Sequence, residues 1–247
     1  MSFQFFNPAK KITITHGDLP HWQQEGATYF ITWRTQDSIP REVWQRWLSE
    51  RETWLRHHRI DPAQPDWHAE LERLPEEQRR DFRRFTRTLE VELDACHGSC
   101  PLRQPALAQI VQDSLHFRHG TAYTLGDHVI MPNHVHLIVG GLARGAMLKQ
   151  IESWKKWTAL EINRRLEQTG RLWQDESFDH LIRDETSFEK IRHYIAENPT
   201  RAHLQPGEFI LQSSPHLAKR AEGNPQCATQ AEQSTNPSPE RPKSPPK

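Results

Sequence analysis

The sequence predicts an α+β fold, an antiparallel sheet flanked by helices and followed by a disordered C-terminal tail. Three observations predict it. Residues 122–139 read as two strand-forming runs joined by a Pro132-Asn133 turn, which makes a hairpin and therefore an antiparallel pair. Several other stretches place apolar residues at helical spacing, the longest spanning about 145–167. From Ser213 to Lys247 periodicity is absent and Pro, Ser, Gln and Asn dominate, too little apolar matter to offset the entropy of ordering. This places a folded domain at 1–212 and the tail at 213–247.

Residues 27–34 (ATYFITWR) form the first expected strand, being β-branched and aromatic. A helix starting around Pro40 follows, with Val43, Trp47, Arg51, Trp54 and Leu55 at helical spacing, so one face should pack on the core. Residues 61–67 read as a proline-bearing loop. A second helix after Pro75 puts Phe82, Phe85, Leu89 and Leu93 on one side, and its arginines, among them Arg79, Arg83 and Arg84, on a solvated face. Cys96 and Cys100 bracket a loop whose spacing could suit zinc, but no fourth ligand is evident. Leu107, Ile110, Val111 and Leu115 mark another helix, and Gly126 a bulge in the first hairpin strand. The helix over about 145–167 buries Leu148, Ile151, Trp154, Trp157 and Ile162. Its basic residues, Lys149, Lys155, Lys156 and Arg164 among them, interleave with the tryptophans as on a surface that grips phosphates while a base stacks on a ring. Residues 172–182 read as a fourth strand. The last helix should open on a capping box with Thr186 as N-cap and Glu189 reaching back, and should end near Asn198 because Pro199 disfavours helical geometry before it.

The 247 residues can bury one substantial core. Lys and Arg total 32 and Asp and Glu total 32, so any affinity for nucleic acid must come from local basic surface. No apolar run approaches the ~18 residues of a membrane helix, and the N-terminus lacks a signal-peptide core, so a cytoplasmic protein without membrane partners is expected. Three cysteines do not make a disulfide framework.

The densest chemistry is in MPNHVHLIV, residues 131–139. Strand residues i and i+2 share a face, so His134 and His136 present their imidazoles together while Val135, Leu137 and Val139 face the core. Such a pair can hold one divalent cation and leave coordination positions open. An isolated H-x-H more often lines a half-buried strand; what lies downstream tips the balance toward ligands. A histidine-triad hydrolase would need a third histidine at position 138, where Ile138 stands. In the last helix Tyr194 and Asn198 are one turn apart and share a face, an arrangement that packing alone could also produce.

MPNHVHLIV, LWQDESFDHLIRD and IRHYIAENPTRA occur in that order, and together they resemble the REP-associated tyrosine transposases of the single-tyrosine HUH superfamily. The resemblance covers about residues 15–205. It implies a sheet of ferredoxin-like or RRM-like strand order, Tyr194 as nucleophile, and His134, His136 and Asn198 as ligands of a divalent metal, Mg or Mn. The implied activity is nicking and rejoining of single-stranded DNA hairpins through a 5′-phosphotyrosine, by a monomer or homodimer. A helical insertion at about 61–100 and the tail depart from the family pattern. Two other readings stay open: a replication initiator or relaxase making the same nick, and a non-catalytic nucleic-acid-binding protein using the sheet as a stacking platform.

Overall fold

The computed structural model describes residues 3–213 apart from 17–19, 63, 65 and 66; the expected tail lies outside the described residues. A short hairpin, β1 (Thr13–His16) and β2 (Pro20–Gln23), precedes the main sheet. That sheet comprises β3 (Tyr29–Arg34), β4 (Thr124–Ile130), β5 (His134–Gly140), β6 (Phe178–Leu181) and β7 (Ile210–Gln212), in the order β6-β3-β5-β4-β7 with every pair antiparallel. Without the edge strand β7, the four strands run 4-1-3-2 in chain order, the ferredoxin-like arrangement.

Alternation sorts the residues of β3 and β5 onto two faces. Tyr29, Ile31, Trp33, Val135, Leu137 and Val139 meet the helices α4 (Pro105–His116) and α5 (Met147–Arg165) in the principal core. Phe30, Thr32, Arg34, His134 and His136 fall on the opposite face, which α6 (Glu185–Arg201) covers. The hairpin and its Pro132-Asn133 turn form as expected, and the register of β4 against β5 slips between Leu125 and His128, around the expected bulge at Gly126. Asp127, inside that slip, accepts a hydrogen bond from Arg192 Nε at 2.9 Å and so ties α6 to the sheet. Phe3 and Phe5 pack on Phe188 of the same helix, with ring centroids 5.3 and 5.6 Å away. Gly140 makes room for Phe3: a Cβ there would come within 2.9 Å of its ring.

Several expectations are corrected. The N-cap of α6 is Asp184 and not Thr186: its carboxylate accepts from Ser187 N at 2.7 Å, while Glu189 turns to Arg192 at 3.0 Å. A carboxylate at this end also gains from the helix dipole, an advantage a hydroxyl lacks. The helix runs through Pro199 to Arg201, because the last turn is closed by Ala202 N donating to Asn198 O at 3.0 Å and Leu204 N to Pro199 O at 3.0 Å. The fourth strand is only Phe178–Leu181; upstream of it Trp173 makes a single bridge to Thr35. Trp157, expected in the apolar face of α5, is 45% exposed.

α1 (Arg41–His57) does not pack on the principal core. It joins α2 (Trp67–Arg73), a short helix that the sequence reading did not name, and α3 (Glu76–Asp94) in a separate cluster of Trp47, Trp54, Leu55, Trp67 and Phe85. The indoles of Trp47 and Trp54 donate to Phe85 O at 2.8 Å and Asp81 Oδ2 at 2.6 Å, satisfying polar atoms that burial would otherwise strand. The arginines of α3 lie on its solvated side, Arg79 paired with Glu72 and Glu76. In the cysteine loop Cys100 Sγ donates to Cys96 O at 3.1 Å, and among the described residues no group of three or more His, Cys, Asp or Glu could hold a metal. No helix among the described residues is long and apolar enough to cross a membrane.

Candidate catalytic site

Register decides what surrounds the two histidines. His134 lies opposite Arg34 and His136 opposite Thr32 on the neighbouring strand. Asn133, which precedes His134 in the turn, donates from Nδ2 to Leu93 O of α3 at 3.1 Å, and this fixes its amide so that Oδ1 faces His134 Nδ1 at 2.7 Å. The amide oxygen can only accept, so Nδ1 of His134 carries the proton and Nε2 keeps its lone pair. Thr32 Oγ1 lies 2.7 Å from Nδ1 of His136 and fixes the orientation of that ring. Both imidazoles therefore turn Nε2 toward α6, with ring centroids 4.6 Å apart.

α6 brings the expected partners. Tyr194 places its hydroxyl 3.3 Å from His136 Nε2, and Phe30 holds the phenol ring edge-on at 5.8 Å. One turn later, Asn198 is 1% exposed and close enough to His134 to raise that imidazole's proton affinity. Even so, His134 Nε2 and Asn198 Oδ1 are both buried without a hydrogen-bond partner. Two stranded polar atoms side by side are costly in a folded protein unless something sits between them. The donor set of two neutral nitrogens and an amide oxygen suits one divalent cation. All four residues come from one chain, so one chain can assemble the site.

Burial sets the protonation states. It lowers the pKa of His134 to about 3, and it pushes His136 well below the ordinary imidazole value, helped by His134. Burial raises the pKa of the Tyr194 phenol, with the negative charge of Glu90 adding to it. Arg201 opposes this from over the ring, 5.3 Å from its centroid, while bonded to Glu90 at 2.9 Å. A consequence for stability follows, with its sign. The folded-state pKa values of both histidines are depressed, so below about pH 6.5 the unfolded chain binds more protons and stability falls. At pH 5 the His134 shift should cost about 2 kcal/mol relative to neutral pH, and His136 acts in the same direction. Urea denaturation of metal-free wild type and His134→Ala at pH 7 and pH 5 measures this, since His21, Asp94 and His128 titrate in both, and an equal loss with falling pH in the two would contradict the buried, neutral assignment.

The structure does not bring all the expected DNA-contacting residues to this corner. α5 lies on the other face of the sheet. Lys155 and Lys156 line a groove with Arg171 and Trp173, and Glu176 and Ser177 of that groove also line the cleft beside Tyr194 and His136, so the two depressions meet there. Lys155 Nζ donates to Asp175 O at 2.7 Å. Arg164 is engaged by Glu161 at 2.8 Å, and Lys149 is exposed and absent from the lining of both depressions. Reasoning from sequence missed Thr32, Asn133, Arg34 and Trp44 at the site. A signal existed for two of them, since Thr32 and Arg34 alternate with the core residues of β3.

Residues 115–198 match the family model described as transposase IS200 like. The match covers about a third of the chain and contains His134, His136, Tyr194 and Asn198. This segment is similar to the IS200-like transposases. A solved structure described as "Structure of the REP associates tyrosine transposase bound to a REP hairpin" is similar at 14% identity and a TM-score of 0.34, covering 73% of this chain and 71% of that one. No curated protein matches. Within the matched segment lie β4, β5, α5, β6 and most of α6, whereas β3 and the α1–α3 cluster lie outside it.

Proposed function

We propose that the protein nicks and rejoins single-stranded hairpin DNA through a covalent 5′-phosphotyrosine on Tyr194. The observation that carries this reading is the meeting of the Tyr194 hydroxyl, 3.3 Å from His136 Nε2, with the unpartnered His134 Nε2 and Asn198 Oδ1. His134, His136 and Asn198 would hold a divalent ion, Mg or Mn, with Mn the better match to imidazole. Such an ion, when bound, would polarise the scissile phosphate and stabilise the departing oxygen.

The residues of the chain do the rest. Asn133 holds His134 in the tautomer that leaves Nε2 free, Thr32 anchors His136 through Nδ1, and Phe30 fixes the phenol ring. The Tyr194 oxygen forms a bond to phosphorus as the bond from phosphorus to the 3′ oxygen breaks. The phenol loses one proton, and the departing 3′ oxygen gains one. Cleavage energy is kept in the phosphotyrosine, so attack by a 3′-OH reverses the step and allows strand transfer. Because the phenol pKa is raised, the reaction should speed up as pH rises above neutral.

The hairpin preference follows from the motif resemblance to the REP-associated enzymes, and Lys155 and Lys156, which line the groove that joins the cleft, would meet the backbone. The test of function is incubation with single-stranded hairpin oligonucleotides from the flanks of the gene, with and without Mn²⁺. Divalent-dependent nicking with a protein adduct is expected, and binding without nicking would favour the non-catalytic reading. In competition at fixed salt, hairpin single strands should displace a bound probe at concentrations roughly tenfold or more below those of random duplex. Equal competition would remove the hairpin assignment.

A further inference from the structure

Arg34 ends β3 on the histidine face, directly across from His134. It is 7% exposed, and its hydrogen bond is a long one, from Nη1 to Ser38 Oγ at 3.4 Å. Among the described residues no ion pair reaches it. The two carboxylates lining the same cleft are engaged elsewhere, Glu90 with Arg201 at 2.9 Å and Glu176 with His21 at 3.5 Å. The guanidinium carbon lies over the Trp44 ring, 4.4 Å from its centroid, and that ring is backed by Trp47 at 5.0 Å. Arg34 and Trp44 share the cleft with His136 and Tyr194.

A guanidinium stays charged at any physiological pH, so burial cannot be relieved by losing a proton. A ring face offsets only part of the lost hydration, and one long hydrogen bond leaves most of the fork's five N–H donors unused. A side chain so placed is complementary to an anion with two oxygens in one plane, and the planar fork matches phosphate in two parallel hydrogen bonds. The stacked indole keeps the fork from folding away.

We propose that Arg34, held by Trp44, binds the non-bridging oxygens of the DNA phosphate that Tyr194 attacks. The inference rests on the DNA-cleaving reading above and adds a binding residue outside the matched transposase segment, on the strand that crosses the sheet beside β5. Negative charge grows on those oxygens as the fifth bond to phosphorus forms, so the contact strengthens along the reaction.

The test pairs the side chain with the charge it should meet. Binding of full-length protein is measured without divalent ion, so that no cleavage intervenes, to a hairpin strand and to the same strand with one methylphosphonate at the cleavage position. Wild type should bind the neutralised strand about tenfold more weakly, whereas Arg34→Gln should bind both within about twofold, the loss having already been taken. Arg34→Lys should recover discrimination between the strands but cleave about tenfold or more slowly with Mn²⁺, since an ammonium cannot make the paired contact. Should Arg34→Gln not fold, wild type against Arg34→Lys on the two strands still decides. Equal discrimination in wild type and Arg34→Gln overturns the proposal, as does wild type showing none. If wild type nicks DNA while showing no discrimination, only the Arg34 assignment falls. If wild type neither binds nor nicks, the DNA-cleaving reading falls with it.

Discussion

Tyr194→Phe should abolish the covalent protein–DNA adduct while leaving fold and DNA affinity at wild-type levels. The change removes one oxygen from a side chain whose ring stays packed on Phe30 and His136, with centroids 5.8 and 5.2 Å away. That oxygen is the only tyrosine hydroxyl facing the site. Tyr29 donates its own to Gln24 O at 2.8 Å and Tyr123 to Leu115 O at 2.8 Å, both in the core beneath the other face of the sheet. Loss of a nucleophile that no neighbour can replace should lower cleavage by on the order of 10⁴-fold or more. A denaturing gel with end-labelled oligonucleotide, followed by peptide mapping of the shifted band, makes the measurement. An adduct that survives in Tyr194→Phe, or maps to another residue, would sink the assignment.

The second large effect is expected at the histidines. His134→Ala and His136→Ala should each remove divalent-dependent cleavage, with apparent metal affinity falling by about 100-fold or more. Both side chains are nearly inaccessible, 1% and 3% exposed, so each substitution leaves a cavity and should cost about 1–3 kcal/mol of stability at neutral pH. The same variants should lose less stability than wild type between pH 7 and pH 5, because a buried neutral imidazole has been removed. Titrating cleavage against Mn²⁺ with circular dichroism on the same samples separates loss of ligand from loss of fold. A variant that cleaves at the wild-type rate in limiting metal would show that its imidazole is no ligand.

Local patterns in the sequence were enough to find the hairpin, the shared face of His134 and His136, and the one-turn spacing of Tyr194 and Asn198. Each is a relation between residues at most a few positions apart, fixed by the period of a strand or a helix. Helix ends were read less well. Asp184 outcompeted Thr186 as the cap of α6, and that helix crossed Pro199, because a carboxylate acceptor and later backbone hydrogen bonds outweighed the local preferences.

From the order of its residues alone this chain specifies two imidazoles on one strand face, a phenol and an amide on one helix face, and strands and helices in the succession that a 4-1-3-2 sheet requires. The meeting of those two faces, with Tyr194 3.3 Å from His136, is a property of the packed molecule. So are the links that orient the imidazoles, Thr32 to His136 across 104 positions and Leu93 to Asn133 across 40, and the placement of Arg34 opposite His134. Periodicity carries no information about which strand lies beside which or in what register. That is settled by the burial of Ile31, Trp33, Val135 and Leu137 under α4 and α5, since a slip of one residue would turn the histidines into that core and the apolar side chains toward α6.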